Sequence, residues 1–305
     1  MIEAITHKEL IRKNLRYATY SGVYNGGKVF IKTAVDPKLK NGIKNEADGL
    51  KAMRTLDPRG THYQIPKVLH LADDTIVTSW ADGQLMKANL NQRTAKQNFE
   101  KLADLYQFID GASAGAIGTT RFNRPGQDNG VAKTMLRLRE LGYEQHIDHR
   151  LVERVAEYAL SVIPTIETRF THGDLQPGNI IISPKGNLWV VDCESCDQLW
   201  PRHYNLINFV FNYGAQPDVW LKRSLLELFD DYYTQQAINP EEIIDQINFS
   251  AAMRCLQSIN EQLGGNTESG KDALPPHIHK YLTDNMKLIS NGQLFVNSLK
   301  DPANR

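Results

Sequence analysis

The segment FTHGDLQPGNIIISPKGNLWVVDCES constrains the fold of this chain more than any other stretch. Two apolar runs, Ile180–Ile182 and Leu188–Val191, flank a Pro-Lys-Gly-Asn turn, which predicts two adjacent buried strands. Asp174 and Asn179 stand just before the first strand, and Asp192 stands just after the second. Because the ends of adjacent strands lie close together, the sequence predicts that these polar side chains converge on one site.

Composition places the chain among ordinary globular proteins. Its 305 residues suggest about two domains, and its hydrophobic share of 41% allows a substantial core. The 35 basic residues balance the 35 acidic residues, so the net charge does not favour a nucleic-acid partner. The N-terminal sequence lacks the apolar core of a signal peptide, and no apolar run approaches the roughly 20 residues of a membrane span. We therefore expect neither a nucleic-acid partner nor a membrane partner.

Three cysteines are a sparse and odd set, which favours a reducing, cytoplasmic location. Cys193 and Cys196 form a C-x-x-C pair. No second Cys or His pair completes a zinc site, and the segment lacks the helical context of a redox motif. We expect two small, partly buried thiols.

The N-terminal part has the pattern of a small β-rich unit. Residues 14–34 predict β-structure, with Asn25 and Gly26 in a type I′ hairpin turn. A helix is predicted to follow, with Asp36 as its N-cap and Pro37 in its first turn. Two further strands are then predicted, Lys67–Ala72 and Thr75–Ser79.

Two lysines and one glutamate of this unit are candidates for a phosphate-binding site. Lys32 and Lys28 share one face of a predicted strand, and Glu46 lies within the apolar stripe of the predicted helix. Phosphoryl transfer uses a strand lysine to contact the nucleotide phosphates and a helix glutamate to hold that lysine. Lys32 and Glu46 fit these roles by order, element and facing. Lys28 is the main alternative for the lysine, and Glu46 could instead be a partly exposed helix residue.

After residue 83 the pattern changes from strands to amphipathic helices. The sequence thus predicts an α+β protein with a β-rich lobe at residues 1–80, a hinge near residues 79–83, and a larger helical lobe at residues 81–305. A mobile loop is predicted in GGNTESGKDALPP. The predicted helices lie in or around NFEKLADLYQFID, VAKTMLRLREL, HRLVERVAEYALSVI, DVWLKRSLLELFDDYYTQ, NPEEIIDQINFSAAMRCLQSINEQL and PPHIHKYLTDNMKLISNGQLF.

The residues around the two predicted strands Ile180–Ile182 and Leu188–Val191 fit the chemistry of phosphoryl transfer. His172, Asp174 and Asn179 form H-x-D-x-x-x-x-N, and Asp192 opens a D-x-E with Glu194. One carboxylate can orient and deprotonate an accepting hydroxyl, while an amide oxygen and a second carboxylate hold Mg²⁺ against nucleotide phosphates. His172 is expected to be a buried hydrogen-bonding residue. Glu194 could support a metal ligand, contact the metal weakly, or be a strand-end charge.

From about Phe30 to about Asn208, and most densely in HGDLQPGN and VVDCES, the chain resembles the aminoglycoside phosphotransferase-like kinases. The resemblance implies a two-lobed, protein-kinase-like fold of the α+β class and the use of ATP, or alternatively GTP, with Mg²⁺. It implies the following site residues: Asp174 as the catalytic residue, Asn179 and Asp192 as metal ligands, Lys32 and Glu46 as the phosphate-positioning pair, and Ser79, Trp80 and Ala81 at the adenine.

Two features favour a small-molecule acceptor over a protein acceptor. Gly173 replaces the arginine of the protein-kinase H-R-D motif, and no A-P-E follows Asp192. We therefore expect phosphoryl transfer to a hydroxyl of an antibiotic, a sugar or ketosamine, or an amino alcohol, with the acceptor bound against residues 200–290.

Two departures from the family pattern leave an alternative open. The expected phosphate loop, RKNLRY, contains no glycine, and Asn205 stands where relatives often have aspartate. Arg12, Lys13 or Arg16 could hold the phosphates by charge instead. The alternative function is a pseudokinase-like module that binds nucleotide or a partner without turnover.

Overall fold

The fold is taken from a computed structural model, which describes residues 2–37, 40–113, 130–196, 199–264 and 274–300. The chain forms two compact units. The first unit comprises the described residues of Met1–Leu90, Gly111–Ser113 and Phe170–Gln198, and the second those of Asn91–Asp110, Ala114–Arg169 and Leu199–Arg305. The segment with the H-x-D motif thus belongs to the β-rich unit, whereas the sequence prediction assigned it to the helical lobe.

A five-stranded antiparallel sheet forms most of the first unit, in the order β1-β2-β3-β5-β4. Asn25 and Gly26 have positive φ angles of 49° and 75°, and Tyr24 pairs with Gly27, which confirms the predicted hairpin turn. Strand β1 was not predicted. The strands are β1 Thr6–Lys13, β2 Tyr17–Tyr24, β3 Gly27–Ala34, β4 Val68–Leu71 and β5 Thr75–Ser79.

Alternation along β3 separates a core face from a cavity face. Val29 and Ile31 are buried with Val77 in the core of the sheet. Phe30 and Lys32 belong to the opposite face and line a cavity. This is the arrangement that the sequence pattern predicts.

Helix α1, Lys40–Leu56, lies against β3, β4 and β5. Glu46 is buried in its apolar stripe, as predicted, together with Ile43, Leu50 and Met53. The predicted helix start at Asp36 and Pro37 borders residues 38 and 39, which lie outside the described residues.

The two predicted strands of the H-x-D segment are confirmed, and they form a three-stranded sheet in the order β6-β8-β9. A separate two-stranded sheet is formed by β7 and β10. These strands are β6 Gln84–Leu85, β7 Thr168–Phe170, β8 Ile180–Ile182, β9 Leu188–Val190 and β10 Leu199–Pro201.

Helices make up most of the second unit, and six of them lie where the sequence predicts. The exception is α5, which is buried at nearly every position and was not predicted. Within the described residues, no helix has the length and apolar character of a membrane span. The predicted mobile loop falls largely on residues 265–273, outside the described residues. The helices are α2 Ala95–Ala112, α3 Gly130–Glu140, α4 His149–Val162, α5 Tyr204–Gly214, α6 Val219–Gln235, α7 Ile244–Leu263 and α8 Pro276–Ser290.

Candidate active site

His172 organises the backbone of the H-x-D segment. The ring is fully buried, and its Nε2 lies 3.0 Å from the carbonyl oxygen of Val191. Its Nδ1 accepts a hydrogen bond of 3.3 Å from the amide of Asp174. Because Nδ1 accepts, the proton of the neutral ring belongs on Nε2, which donates to Val191. His172 thus ties the start of the catalytic segment to the end of β9, as expected of a structural histidine.

Gly173 forms the backbone turn between His172 and Asp174. Its φ angle is +78°, in the left-handed region that a residue with a Cβ rarely adopts. The backbone conformation at position 173 therefore favours glycine, the residue that distinguishes this motif from H-R-D.

Two amide side chains hold the Asp174 carboxylate. Asn179 Nδ2 donates to Asp174 Oδ2 at 2.9 Å and to the Asp174 carbonyl oxygen at 2.8 Å. Gln176 Nε2 lies 3.1 Å from Oδ1 and 3.2 Å from Oδ2 of the same carboxylate. Asn179 is itself fixed, since its carbonyl oxygen accepts from the amide of Val191 at 3.0 Å. The sequence prediction did not include Gln176, which lies between the two motif residues.

Lys32 lies at the centre of a cluster of carboxylates. Its Nζ is 3.0 Å from Glu46 Oε2, 2.7 Å from Asp192 Oδ1 and 3.4 Å from Glu194 Oε2. The side chains of Lys32 and Glu46 are each only 8% exposed, whereas Asp192 is 44% exposed. Lys28, the alternative lysine, instead places its Nζ 3.8 Å from the centre of the Trp80 ring.

The electrostatics of this cluster fix the charge on Lys32. Burial opposes the charge of the ammonium group, but the carboxylates of Glu46 and Asp192 outweigh it and raise the pKa of Lys32. Burial raises the pKa of Glu46 to about 7, against the effect of Lys32. Burial also acts to raise the pKa of Asp192, but Lys32 prevails and lowers it. Asp192 is therefore ionised at neutral pH and partly open to solvent.

The donor set suits a hard divalent cation. Oxygen atoms of Glu46, Asp192 and Glu194 all lie within 4.8 Å of one another. Asn179 uses its amide nitrogen for Asp174, which leaves its side-chain oxygen to face a ligand. An ionised, half-exposed aspartate and an amide oxygen are ligands that Mg²⁺ accepts, since it binds few protein groups and keeps several waters. Asn179 and Asp192 thus fit the metal roles that the sequence predicts.

The thiols of the C-x-x-C pair form a second group of potential ligands with His172. Both ring nitrogens of His172 already bond to the backbone. Burial raises the pKa of the Cys193 thiol, so the thiolate that a soft metal needs is disfavoured. Cys193 and Cys196 are free thiols, as the sequence predicts, but they are fully buried and not partly buried.

A cavity of about 490 Å³ lies within the first unit and opens beside this cluster. Its lining includes Lys32, Glu46, Asn179 and Asp192, as well as Ser79, Trp80 and Ala81. Asp174 is not part of the lining. Apolar residues such as Leu50, Ile76 and Ile181 complete the wall.

The predicted hinge residues differ in what their backbone can offer a ligand. The amide of Ser79 donates to the Lys67 carbonyl at 2.8 Å, and the amide of Trp80 donates to the Lys28 carbonyl at 3.3 Å. Among the described residues, the amide of Ala81 has no such acceptor. Of the three predicted residues, Ala81 is the one with a backbone donor available to a ligand.

Comparison with known proteins identifies the class. A family model described as the phosphotransferase enzyme family matches residues 17–233. The match covers more than half of the 305 residues, and the chain therefore belongs to the phosphotransferase enzyme family. No curated protein matches the chain.

Solved structures share the fold at low sequence identity. Aminoglycoside phosphotransferase APH(4)-Ia, in a ternary complex with AMP-PNP and hygromycin B, is 10% identical over 94% of both chains with a TM-score of 0.63. APH(2")-IIa, in a complex with streptomycin and ATP, is 14% identical over 87% of this chain and 88% of its own, with a TM-score of 0.58. A proposed fructosamine-3-kinase from Thermobifida fusca YX-ER1 is 18% identical over 94% of this chain and 93% of its own, with a TM-score of 0.58.

These findings confirm two sequence predictions. The fold is of the α+β class and kinase-like, with an N-terminal antiparallel sheet and a mostly helical C-terminal part. The family match also bears out the prediction that the chain is a phosphotransferase.

Proposed function

We propose that this enzyme transfers the γ-phosphoryl group of ATP to a hydroxyl of a small molecule, with Mg²⁺ as cofactor and Asp174 as the catalytic residue. The observation that carries the proposal is one connected set of side chains beside the cavity. Lys32 bonds to Glu46 and Asp192, and the backbone of Val191 links Asp192 to Asn179, which in turn bonds to Asp174.

The surroundings of Asp174 fix the orientation of its carboxylate, as a catalytic base requires. The amides of Asn179 and Gln176 hold its carboxylate, and His172 fixes its backbone. In the proposed reaction an Asp174 oxygen accepts the proton of the acceptor hydroxyl as the hydroxyl oxygen bonds to the γ-phosphorus, and the bond from that phosphorus to the β–γ bridging oxygen breaks to release ADP. Phosphoryl transfer depends mainly on positioning and charge neutralisation, so a fixed carboxylate contributes orientation as well as proton acceptance.

Lys32 and Glu46 form the proposed phosphate-positioning pair. Both side chains are nearly buried, and the 3.0 Å contact leaves the ammonium few alternative positions. A lysine held in this way presents a fixed positive charge to the α- and β-phosphates. Glu46 thus acts through Lys32 and not on the substrate.

Asn179 and Asp192 would hold the metal ion. When bound, Mg²⁺ supplies positive charge that neutralises the phosphate oxygens during transfer. The lowered pKa of Asp192 keeps this ligand ionised at neutral pH. The Ala81 amide supplies the proposed backbone contact to the adenine, while Ser79 and Trp80 shape the same end of the cavity.

The acceptor belongs, in this proposal, to the hydroxylated antibiotics, the sugars and ketosamines, or the amino alcohols. Structures with this fold include complexes with hygromycin B and with streptomycin, as well as a proposed fructosamine-3-kinase. Residues 200–290, which contain α5, α6, α7 and α8, are the proposed binding region. A phosphorylation screen over these three compound classes tests this part of the proposal, and transfer to proteins alone would contradict it.

Two variants test the assignment of roles. Asp174→Asn should retain the affinity for Mg²⁺ and nucleotide and lower kcat by roughly 10²–10⁴-fold. Asp192→Ala should weaken metal-dependent nucleotide binding as well as turnover, because it removes a charged metal ligand. Near-normal turnover by Asp174→Asn with the true acceptor would show that another group is the base. Failure of the wild-type protein to transfer phosphate to any compound, despite binding ATP, would favour the pseudokinase alternative.

A further inference from the structure

The loop between β1 and β2 does not offer its backbone to a phosphate in the usual way. Asn14 and Arg16 of this loop line the cavity. Asn14 Oδ1 accepts hydrogen bonds from the amides of Arg16 at 2.8 Å and Tyr17 at 2.7 Å. A glycine-rich loop presents such amides to the ligand, but here an asparagine side chain already binds them. A side chain must therefore supply the positive contact on this wall.

Arg16 is placed to supply it. Its guanidinium Nη2 lies 3.0 Å from Glu194 Oε1, and its side chain is 52% exposed. Its Cζ lies 5.1 Å from the centre of the Tyr17 ring, and Lys32 Nζ lies 4.4 Å from the same centre. Two cations therefore share one aromatic ring at the cavity wall. Arginine matches the oxygens of a phosphate through its planar set of donors.

Glu194 connects the two cations. Its Oε1 contacts Arg16, and its Oε2 lies 3.4 Å from Lys32. Together with Glu46 and Asp192, three carboxylates face two cations in this part of the cavity. Because carboxylates outnumber cations here, a polyphosphate competes with these carboxylates for the two cations.

We propose that Arg16 grips the nucleotide phosphates and that Glu194 holds the guanidinium in position until the nucleotide binds. The inference rests on the proposed function, since it assumes that the cavity receives ATP. On binding, Arg16 exchanges Glu194 for phosphate oxygens, and Glu194 is released to support the metal ligand Asp192. Arg16 thus replaces, with a side chain, the backbone contacts of a glycine-rich loop.

The neighbouring cations fit this role less well. Arg12 lines the cavity, but it forms no ion pair with any described residue. Lys13 is not part of the lining. In the Arg16–Glu194 pair the Arg16 side chain is 52% exposed and the Glu194 side chain 20% exposed, and ion pairs near the surface contribute little to stability. Its replacement should therefore leave the fold intact and report on binding.

Isothermal titration calorimetry with ATP and with adenosine, each in the presence of Mg²⁺, tests whether Arg16 binds the nucleotide phosphates. Arg16→Ala should bind ATP roughly ten- to a hundredfold more weakly, because a charge-assisted hydrogen bond to phosphate is lost. Its affinity for adenosine should not change. Arg16→Lys should recover part of the loss, and Lys13→Ala, the matched control, should bind both ligands like the wild type. Unchanged ATP affinity in Arg16→Ala would overturn the inference.

The same titrations separate this inference from the proposed function. If the wild-type protein binds neither ATP nor adenosine, the proposed function fails and the inference fails with it. If the wild type binds ATP and Lys32→Ala weakens binding but Arg16→Ala does not, the proposed function stands and the role of Arg16 is wrong.

A double-mutant cycle of Glu194→Gln and Arg16→Ala tests whether Glu194 holds Arg16 in position before the nucleotide binds. Without Mg²⁺, Glu194→Gln should strengthen ATP binding, because Arg16 and Lys32 lose a competing carboxylate. In the Arg16→Ala background the gain should be smaller, since only Lys32 is then released. Equal gains in both backgrounds would contradict a holding role for Glu194.

Discussion

At the scale of single residues, the two lysines of β3 differ in their partners although they share a strand face. Lys32 contacts three carboxylates within 3.4 Å and is nearly buried. Lys28 is exposed and contacts the ring of Trp80. The sequence alone left both residues as candidates, because alternation along a strand assigns a face but not a partner. The carboxylates of α1 and of the segment after β9 favour Lys32 as the candidate.

We expect Lys32→Met to lower kcat/KM by roughly 10²–10³-fold, the loss typical of removing one fixed group that stabilises transition-state charge. Lys28→Met, on the same strand face, should remain close to the wild type. Phosphotransfer kinetics with the identified acceptor are the measurement. Since Lys32→Met leaves the Glu46 carboxylate buried and unpaired at a cost of about 3–5 kcal/mol, the double variant Lys32→Met/Glu46→Gln provides a better-folded comparison. Equal losses in the two lysine variants would contradict the assignment.

At the scale of elements, burial pattern decides what sequence reasoning can find. The strands β3, β5, β8 and β9 carry alternating or continuous apolar residues between turn signals and were predicted. The strand β1 is exposed at all of its positions, so it has no buried face to mark it and is held by pairing with β2. Helix α5 shows the opposite case, because its buried residues surround the helix and leave no exposed face.

Contacts between distant segments set a further limit on prediction. Lys32, Glu46 and Asp192 could be grouped from element type and order, because the chemistry requires that combination. The contact between Arg16 and Glu194 joins residues 178 positions apart, and no local pattern in either segment indicates it.

The packing of α1 on the segment after β9 gives a prediction about elements. A Cβ at Gly49 would lie 2.0 Å from the carbonyl oxygen of Cys193. Because this oxygen belongs to the backbone, no change of side-chain rotamer can relieve the clash. Gly49→Ala should therefore force α1 away from Cys193 and destabilise the protein by about 1–3 kcal/mol. The Cys193 amide also lies 3.3 Å from Glu46 Oε1, so the shift should disturb the Lys32–Glu46 pair and lower activity.

Gly111→Ala is the matched control for this packing effect. A Cβ at Gly111 meets no atom within 4 Å, and alanine favours a helix more than glycine does. Denaturant unfolding should show Gly111→Ala to be at least as stable as the wild type. If Gly49→Ala is equally stable, the close approach of α1 to Cys193 does not constrain the protein.

At the scale of the whole molecule, the fold is far less variable than the amino-acid sequence. Structures of the same fold are only 10–18% identical to this chain over most of its length. A fold requires a set of buried apolar positions, and many sequences satisfy that requirement. The class of reaction could be predicted from a short motif, while the acceptor could not, because the helices of residues 200–290, where we propose that it binds, carry no motif of their own.

Binding of nucleotide to the cavity should raise the stability of the folded protein. A ligand at 100 times its Kd adds about 2.7 kcal/mol to the free energy of unfolding if it binds only the folded state. Thermal unfolding with millimolar Mg·ATP should therefore show a clear rise in Tm for the wild type and for Asp174→Asn, whose metal ligands are intact. Asp192→Ala should lose most of this rise, and a chelator should reduce it in the wild type, because the triphosphate then meets the carboxylates of the cavity without a neutralising cation. An unchanged Tm in the wild type would mean that the cavity does not bind ATP, whereas an equal rise in Asp192→Ala would mean that this aspartate does not hold the metal.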